Sequence, residues 1–253
     1  MKPKQSSMGD RTARVHYVRL YHFLSAHHAL DDIAKRRLKI SEIEQLNDPF
    51  ELWCVYQKDR RLRNALRGYK DQMAARFGML CFSKHWHGPV LWSHYADRHR
   101  GICLGFDIDG RGAKPITYQL ERPRLRIPPS RVDADQLLYT KFLDWQYEEE
   151  WRSWIQFDER DPATGFYFYN FDSRVQLREV IAGPLCDVPE AKLREALSGY
   201  ADKVSVIKAR LAFRSFRVVK NLRGFGRIKL DRVGAGVESP RHVRKSTNTG
   251  KHA

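Results

Sequence analysis

Residues 80–108, LCFSKHWHGPVLWSHYADRHRGICLGFDI, set the strongest constraint on how this chain folds. GMLCFS is an apolar run ending at Ser83, and Gly88 and Pro89 open a helix through GPVLWSHYAD. GICLGFDI is a second apolar run, closed by the turn DGRG. A strand, helix, strand unit of the ordinary kind carries Leu, Ile and Val inward and places polar residues outward. This one holds four histidines, two tryptophans and a tyrosine, so it reads as the wall of a pocket.

The flanking segments also mix strands with short helices. VHYVRLYHFL (15–24) is β-branched and aromatic, as a strand requires. SAHHALDDIAKRRL follows with Ser25 as a helix cap and Leu30, Ile33, Ala34 and Leu38 at helical spacing. KISEIEQLNDPFELW gives a brief extended piece and a turn at Asn47, Asp48 and Pro49, and residues 57–76 form a charged amphipathic helix. Residues 110–135 carry four prolines and read as an irregular connection with one strand at PITYQL (115–120). A helix is expected over ADQLLYTKFLDW (134–145), leading into YEEEWRSWIQF (147–157). GFYFYNF (165–171), LREVIAGPL (177–185) and KVSVIKARLAF (203–213) are strands, with a helix over PEAKLREALSGYA (189–201). The regular alternation of a doubly wound fold is missing. The fold class is therefore α+β, a mixed and largely antiparallel sheet flanked by short helices.

Length allows a sizeable core, and we place one folded unit at 15–221 between a flexible N-terminus (1–14) and a basic, flexible tail (222–253). The net charge is +16, and from Arg214 onward eleven Lys or Arg face only Asp231 and Glu238. More than half of the excess therefore sits at one end, where it would attract a phosphate polymer. Nucleic acid is the partner this predicts, although a solubilising terminus has the same composition. No apolar run has the length of a signal peptide or a membrane span, so a cytoplasmic protein is expected. Cys54, Cys81, Cys103 and Cys186 form no CxxC pair and read as reduced core thiols. Nucleotide-binding glycine loops, the GxSxG elbow and HExxH are all missing, and the histidines lack ligand spacing, so no metal is expected.

Two further places can carry chemistry. If YEEEWRSWIQF is a strand, Trp151, Ser153, Ile155 and Phe157 share a core face, while Glu148, Glu150, Arg152 and Trp154 share the other. That second face is either an exposed salt-bridge ladder or a pair of carboxylates poised in a cleft to bind a sugar hydroxyl or stabilise a cation. His22 lies between Tyr21 and Phe23 within the first strand, where a polar side chain faces a pocket or a buried partner.

The motifs LNDPFE, LCFS, LWSHYADRHRGICLGFD, YEEEWR and LREVIAGP, in this order, resemble a widespread bacterial family defined only as a domain of unknown function. The order LYHF, GMLCFS, VLWSHYA, GICLGFDI and then a late-strand Glu also resembles the ADP-ribosyltransferase fold. That second resemblance implies NAD as substrate, with His22 and its neighbour Tyr21 at the NAD ribose and Ser83 at the end of the second strand. It further implies Tyr95 or Trp92 against the nicotinamide, and Glu150 or Glu148 as the catalytic acid. Two rival readings stay open: a non-catalytic nucleic-acid-binding or defence accessory module, and a metal-dependent nuclease using Asp144, Glu148 and Glu150. The nuclease reading lacks the lysine that usually follows the strand carboxylate, a position held here by Arg152.

Overall fold

The computed structural model describes residues 16–125, 131–200 and 203–225. The expectations for residues 1–14 and for most of the tail lie outside them. In chain order, β1 (Tyr17–Leu24) leads into α1 (Ala26–Lys35) and β2 (Arg37–Lys39), then a 3-10 turn (Ile43–Gln45). Next come α2 (Arg60–Arg76), β3 (Phe77–Ser83), α3 (Pro89–Tyr95) and β4 (Ile102–Asp109). After β5 (Lys114–Pro115) and β6 (Thr117–Gln119) come α4 (Arg131–Leu138), β7 (Thr140–Phe142) and a second 3-10 segment (Leu143–Glu148). The chain continues through β8 (Glu150–Gln156), β9 (Phe168–Asn170), β10 (Val175–Ala182), α5 (Glu190–Ala196), β11 (Ser205–Leu211) and β12 (Val218–Lys220).

Eight strands form one sheet in the order β12-β11-β10-β4-β1-β3-β8-β5, antiparallel except where β10 runs parallel to β11. This is the mixed, largely antiparallel α+β architecture expected of the sequence. Local signals explain the helices: Ser25 Oγ accepts from His28 N to start α1, Asp59 Oδ1 accepts from Leu62 N to start α2, and Pro89 opens α3. α3 ends early because Asp97, Arg98 and His99 all take left-handed backbone angles. They deliver the chain to Gly101, where a Cβ would lie 2.1 Å from the Leu24 carbonyl oxygen, so only glycine fits between the ends of β1 and β4.

The two largest apolar clusters lie against the sheet. One, including Leu20, Ile33, Leu104, Phe106, Val180 and Leu193, lies under α1 and α5. The other gathers Phe23, Trp86, Trp92, Cys103, Ile181 and Val218 under α3. All four cysteines are free, and three of them are buried.

The sheet is not equally knit throughout. β1 pairs with β4 along its whole length, from Tyr17↔Asp109 to Leu24↔Ile102, but meets β3 at the single pair Tyr21↔Ser83. The edge of β3 that faces β1 finds other partners. Met79 exchanges both backbone hydrogen bonds with Ser41 at 2.9 Å, and the Cys81 carbonyl accepts from the His22 side chain at 2.7 Å. Ile40 and Ser41 come so close to β3 that a Cβ on Gly78 would lie 2.5 Å from the Ile40 side chain. The sheet therefore opens between β1 and β3, and the segment after β2 is wedged into the opening.

Residues 134–145 are not a continuous helix: α4 stops at Leu138, and Thr140–Phe142 pair in parallel with β6. The Tyr139 carbonyl accepts from Thr117 N, and Lys141 is drawn inward to buried carboxylates. Tertiary partners thus override a helical pattern that contains β-favouring Tyr139 and Thr140.

Candidate functional site

The opening between β1 and β3 is a cleft of about 320 Å³, at the small end of the range for ligand sites. Tyr21, His22, Ser83, Tyr95, Glu148 and Glu150 all line it. Lys141, Arg152, Glu51 and Asn47 complete its polar wall. Six of the seven residues that the ADP-ribosyltransferase resemblance implies thus meet in one place. The seventh, Trp92, does not: its side chain is fully buried behind α3, packs edge-on against Phe23 and donates its indole N–H to the Trp86 carbonyl. Of the two candidate aromatics on that helix, Tyr95 alone reaches the cleft.

A continuous chain of charged and polar groups forms the cleft's base. Arg152, 1% exposed, makes a bidentate pair with Glu51, both oxygens at 2.8 Å. It also reaches Glu150 through Nε at 2.9 Å and the Leu138 carbonyl at 2.9 Å. Lys141 Nζ bridges Glu150 at 2.9 Å and Glu148 at 2.6 Å. The other Glu148 oxygen accepts from the Tyr95 hydroxyl, which in turn accepts from Asn47 Nδ2 at 2.6 Å. All five charged residues are buried. Three carboxylates therefore face two cations, a formal excess of one negative charge.

These side chains converge by several local devices. Alternation along β8 places Glu150 and Arg152 on one face, as the sequence predicts, with Trp151, Ile155 and Phe157 packed on the main core. The carboxylate face is buried and not a surface ladder, because α4, β7 and the 47–52 turn cover it. Glu148 is not on the strand at all. It ends the second 3-10 segment, and Glu149 turns the chain with φ 42°, so Glu148 approaches the cluster from a different direction than Glu150. Ser83 fixes this turn, since its hydroxyl reaches the Glu148 carbonyl at 2.7 Å while Lys84 N donates to the Glu149 carbonyl.

Electrostatics separate the acids. Burial raises Glu150, but Arg152 and Lys141 together outweigh it and hold its carboxyl at about 2. For Glu51 burial prevails over Arg152 and the group is raised, so it takes up a proton well before Glu150. Lys141 loses by burial and regains more from Glu150 and Glu148, so it remains charged. Tyr95 is driven well above the ordinary phenol range by burial and by Glu148, and so acts as a hydrogen-bond donor. Burial lowers His22, and the Cys81 carbonyl restores only part of that; with Nδ1 donating, the ring is neutral and Nε2 is an acceptor. Tyr21 contributes its ring to the cleft, while its hydroxyl neighbours Glu179 across Gly105 and, through burial first and Glu179 second, is raised to about 12.

Sequence reasoning missed Lys141, Glu51 and Asn47 as members of the site. Lys141 was hidden inside an apparent helix. The turn LNDPFE carried a readable signal, for Asp48 makes the expected turn by accepting from Phe50 N and leaves Asn47 and Glu51 to point into the cleft. Asp144, invoked for a nuclease, is exposed and outside the cleft. Among the described residues no group of three His, Cys, Asp or Glu is placed to hold a metal ion, and no helix is long and apolar enough to cross a membrane. Comparison with protein-family models, with curated proteins and with solved structures finds no match for this chain.

Proposed function

We propose that the cleft is an NAD site of the ADP-ribosyltransferase kind, in which the bond between nicotinamide and ribose is broken and ADP-ribose passes to an acceptor. The observation that carries this reading is the buried cluster with one excess negative charge, set beside a neutral histidine and a tyrosine donor. Nicotinamide leaves with the electron pair of the C–N bond, and positive charge develops over the ribose C1' and ring oxygen. A preorganised anionic wall lowers the energy of that cation more than it lowers that of the substrate, which is the requirement for catalysis. The acceptor then attacks C1' and loses its proton to solvent.

The two acids take different parts. Glu150 is fixed by Arg152 and Lys141 and positions the cluster. Glu148 is held by Lys141 and Tyr95 and is the carboxylate that meets the ribose hydroxyl. His22 and Tyr21 also line the cleft and hold the nicotinamide riboside end, while the cleft's volume leaves the adenylate outside.

Nicotinamide release from NAD by the purified chain, with nucleic acid and protein acceptors supplied, tests the reading. Glu148→Gln is expected to lower the rate by about a hundredfold or more, and Tyr95→Phe by less. An absence of both release and saturable NAD binding in wild-type protein of intact fold would overturn it.

A further inference from the structure

β11 and β12 form a hairpin on the outer edge of the large sheet, paired from Ala209↔Lys220 to Leu211↔Val218. Its tip is closed by Ala212 N to the Arg217 carbonyl and Arg217 N to the Ser215 carbonyl, both at 2.9 Å. On this tip Phe213 and Phe216 stand 90% and 98% exposed. Single exposed apolar residues are ordinary, but two phenyl rings almost wholly in water on one tight turn are not. Around them lie Arg210, Arg214, Arg217, Lys220 and Arg223, and no Asp or Glu occurs from Ser205 to Phe225.

We propose that this hairpin binds single-stranded nucleic acid, with Phe213 and Phe216 stacking on bases and the interleaved arginines neutralising the adjoining phosphates. Two chemistries must be supplied within the span of a nucleotide, a flat apolar surface and a cation. The tip sequence AFRSFR alternates them at that scale. The Arg210 guanidinium already lies 4.4 Å from the centre of the Phe213 ring, so one face of that ring is covered by a cation and the other is open for a base.

The same arrangement argues against an anionic membrane as the partner. Membrane-surface segments gather their apolar side chains on one face and their cations on the other. Here Arg214 lies between the two rings and Arg210 lies on one of them, so inserting the phenyls would pull guanidinium groups into the apolar layer. The platform is also anchored at its base. Val218 at its base is buried and exchanges hydrogen bonds with His87, backbone N to the His87 carbonyl at 2.9 Å and His87 Nδ1 to the Val218 carbonyl at 2.8 Å. This ties the hairpin to the loop that runs from Ser83 to α3 beside the cleft.

The test is fluorescence anisotropy of the full chain with labelled single-stranded RNA and DNA, a duplex, and vesicles of anionic phospholipid in parallel. Phe213→Ala and Phe216→Ala are each expected to weaken single-strand binding about tenfold with the fold unchanged, and Phe213→Trp to retain it. Arg214→Gln and Arg217→Gln should each reduce the slope of log affinity against log salt by roughly 0.7. RNA and DNA titrations then rank the two sources of the strand. The proposal is overturned if the alanine variants bind as wild type while removal of residues 226–253 abolishes binding. It is equally overturned if the chain binds only duplex, binds only vesicles, or binds nothing.

Discussion

The cleft and the β11–β12 hairpin break the usual sorting of side chains in opposite directions. At the cleft, five charged side chains are buried and each contacts a charge of opposite sign. At the hairpin, two phenyl rings stand in water with a cation beside them. Burying a charge costs far more than exposing a phenyl ring, so the cleft must be satisfied internally whereas the hairpin can wait for a partner. The two regions should accordingly answer mutation differently: the cleft through folding, the hairpin through binding.

Arg152 gives the sharpest contrast. It is the hub of the cluster, serving Glu51, Glu150 and the Leu138 carbonyl at once. Arg152→Leu leaves two buried carboxylates short of their cation and is expected to cost about 3–5 kcal/mol in urea unfolding. Arg152→Lys keeps the charge without the planar fork, so it recovers only part of the loss. Arg214→Leu on the hairpin should stay within about 0.5 kcal/mol of wild type. If the two leucine variants unfold at similar urea concentrations, the cluster does not act as a structural unit.

The next effect depends on pH. Glu150 is depressed to about 2 in the folded chain, against a usual value near 4.5, so it binds fewer protons folded than unfolded. Its contribution is present above about pH 4.5 and is lost as pH falls toward 2, on the order of 3 kcal/mol in total. Glu51, raised by burial, acts in the opposite sense and reduces the net slope. The stability gap between wild type and Glu150→Gln should therefore be wide at pH 7 and close as pH drops through that window. A gap that stays constant from pH 7 to pH 3 would show that Arg152 and Lys141 do not hold the carboxylate as the geometry implies.

Much of this site was legible because its residues lie on elements with clear periodicity. β1, β3, α3 and β8 are all strongly patterned, and from them come His22, Ser83, Tyr95 and Glu150. The illegible part follows from two local events. Tyr139–Phe142 falls within a helical pattern because the partners that hold it extended, β6 and the buried glutamates, leave no local signal. The alternation of YEEEWR places Glu148 on a strand, whereas the left-handed Glu149 sets it on a separate turn. Trp92 shows the complementary error. Its large ring at helical spacing from Tyr95 is a core anchor, and its indole N–H is satisfied by Trp86. The opening between β1 and β3 could not be read either, since it depends on Ser41 and His22 replacing the backbone partners that β1 withholds.

The smallest expected effect completes the contrast. Phe213 and Phe216 touch little, so replacing both with Ser removes almost no buried area, and relieving water of two rings offsets what is lost. The double variant should unfold within about 0.5 kcal/mol of wild type, even where its affinity for a single strand has collapsed. A loss of stability approaching that of Arg152→Leu would mean that these rings are covered in solution by another part of the chain. The hairpin would then be a second interior, and the distinction between a region satisfied from within and one satisfied by a partner would fail.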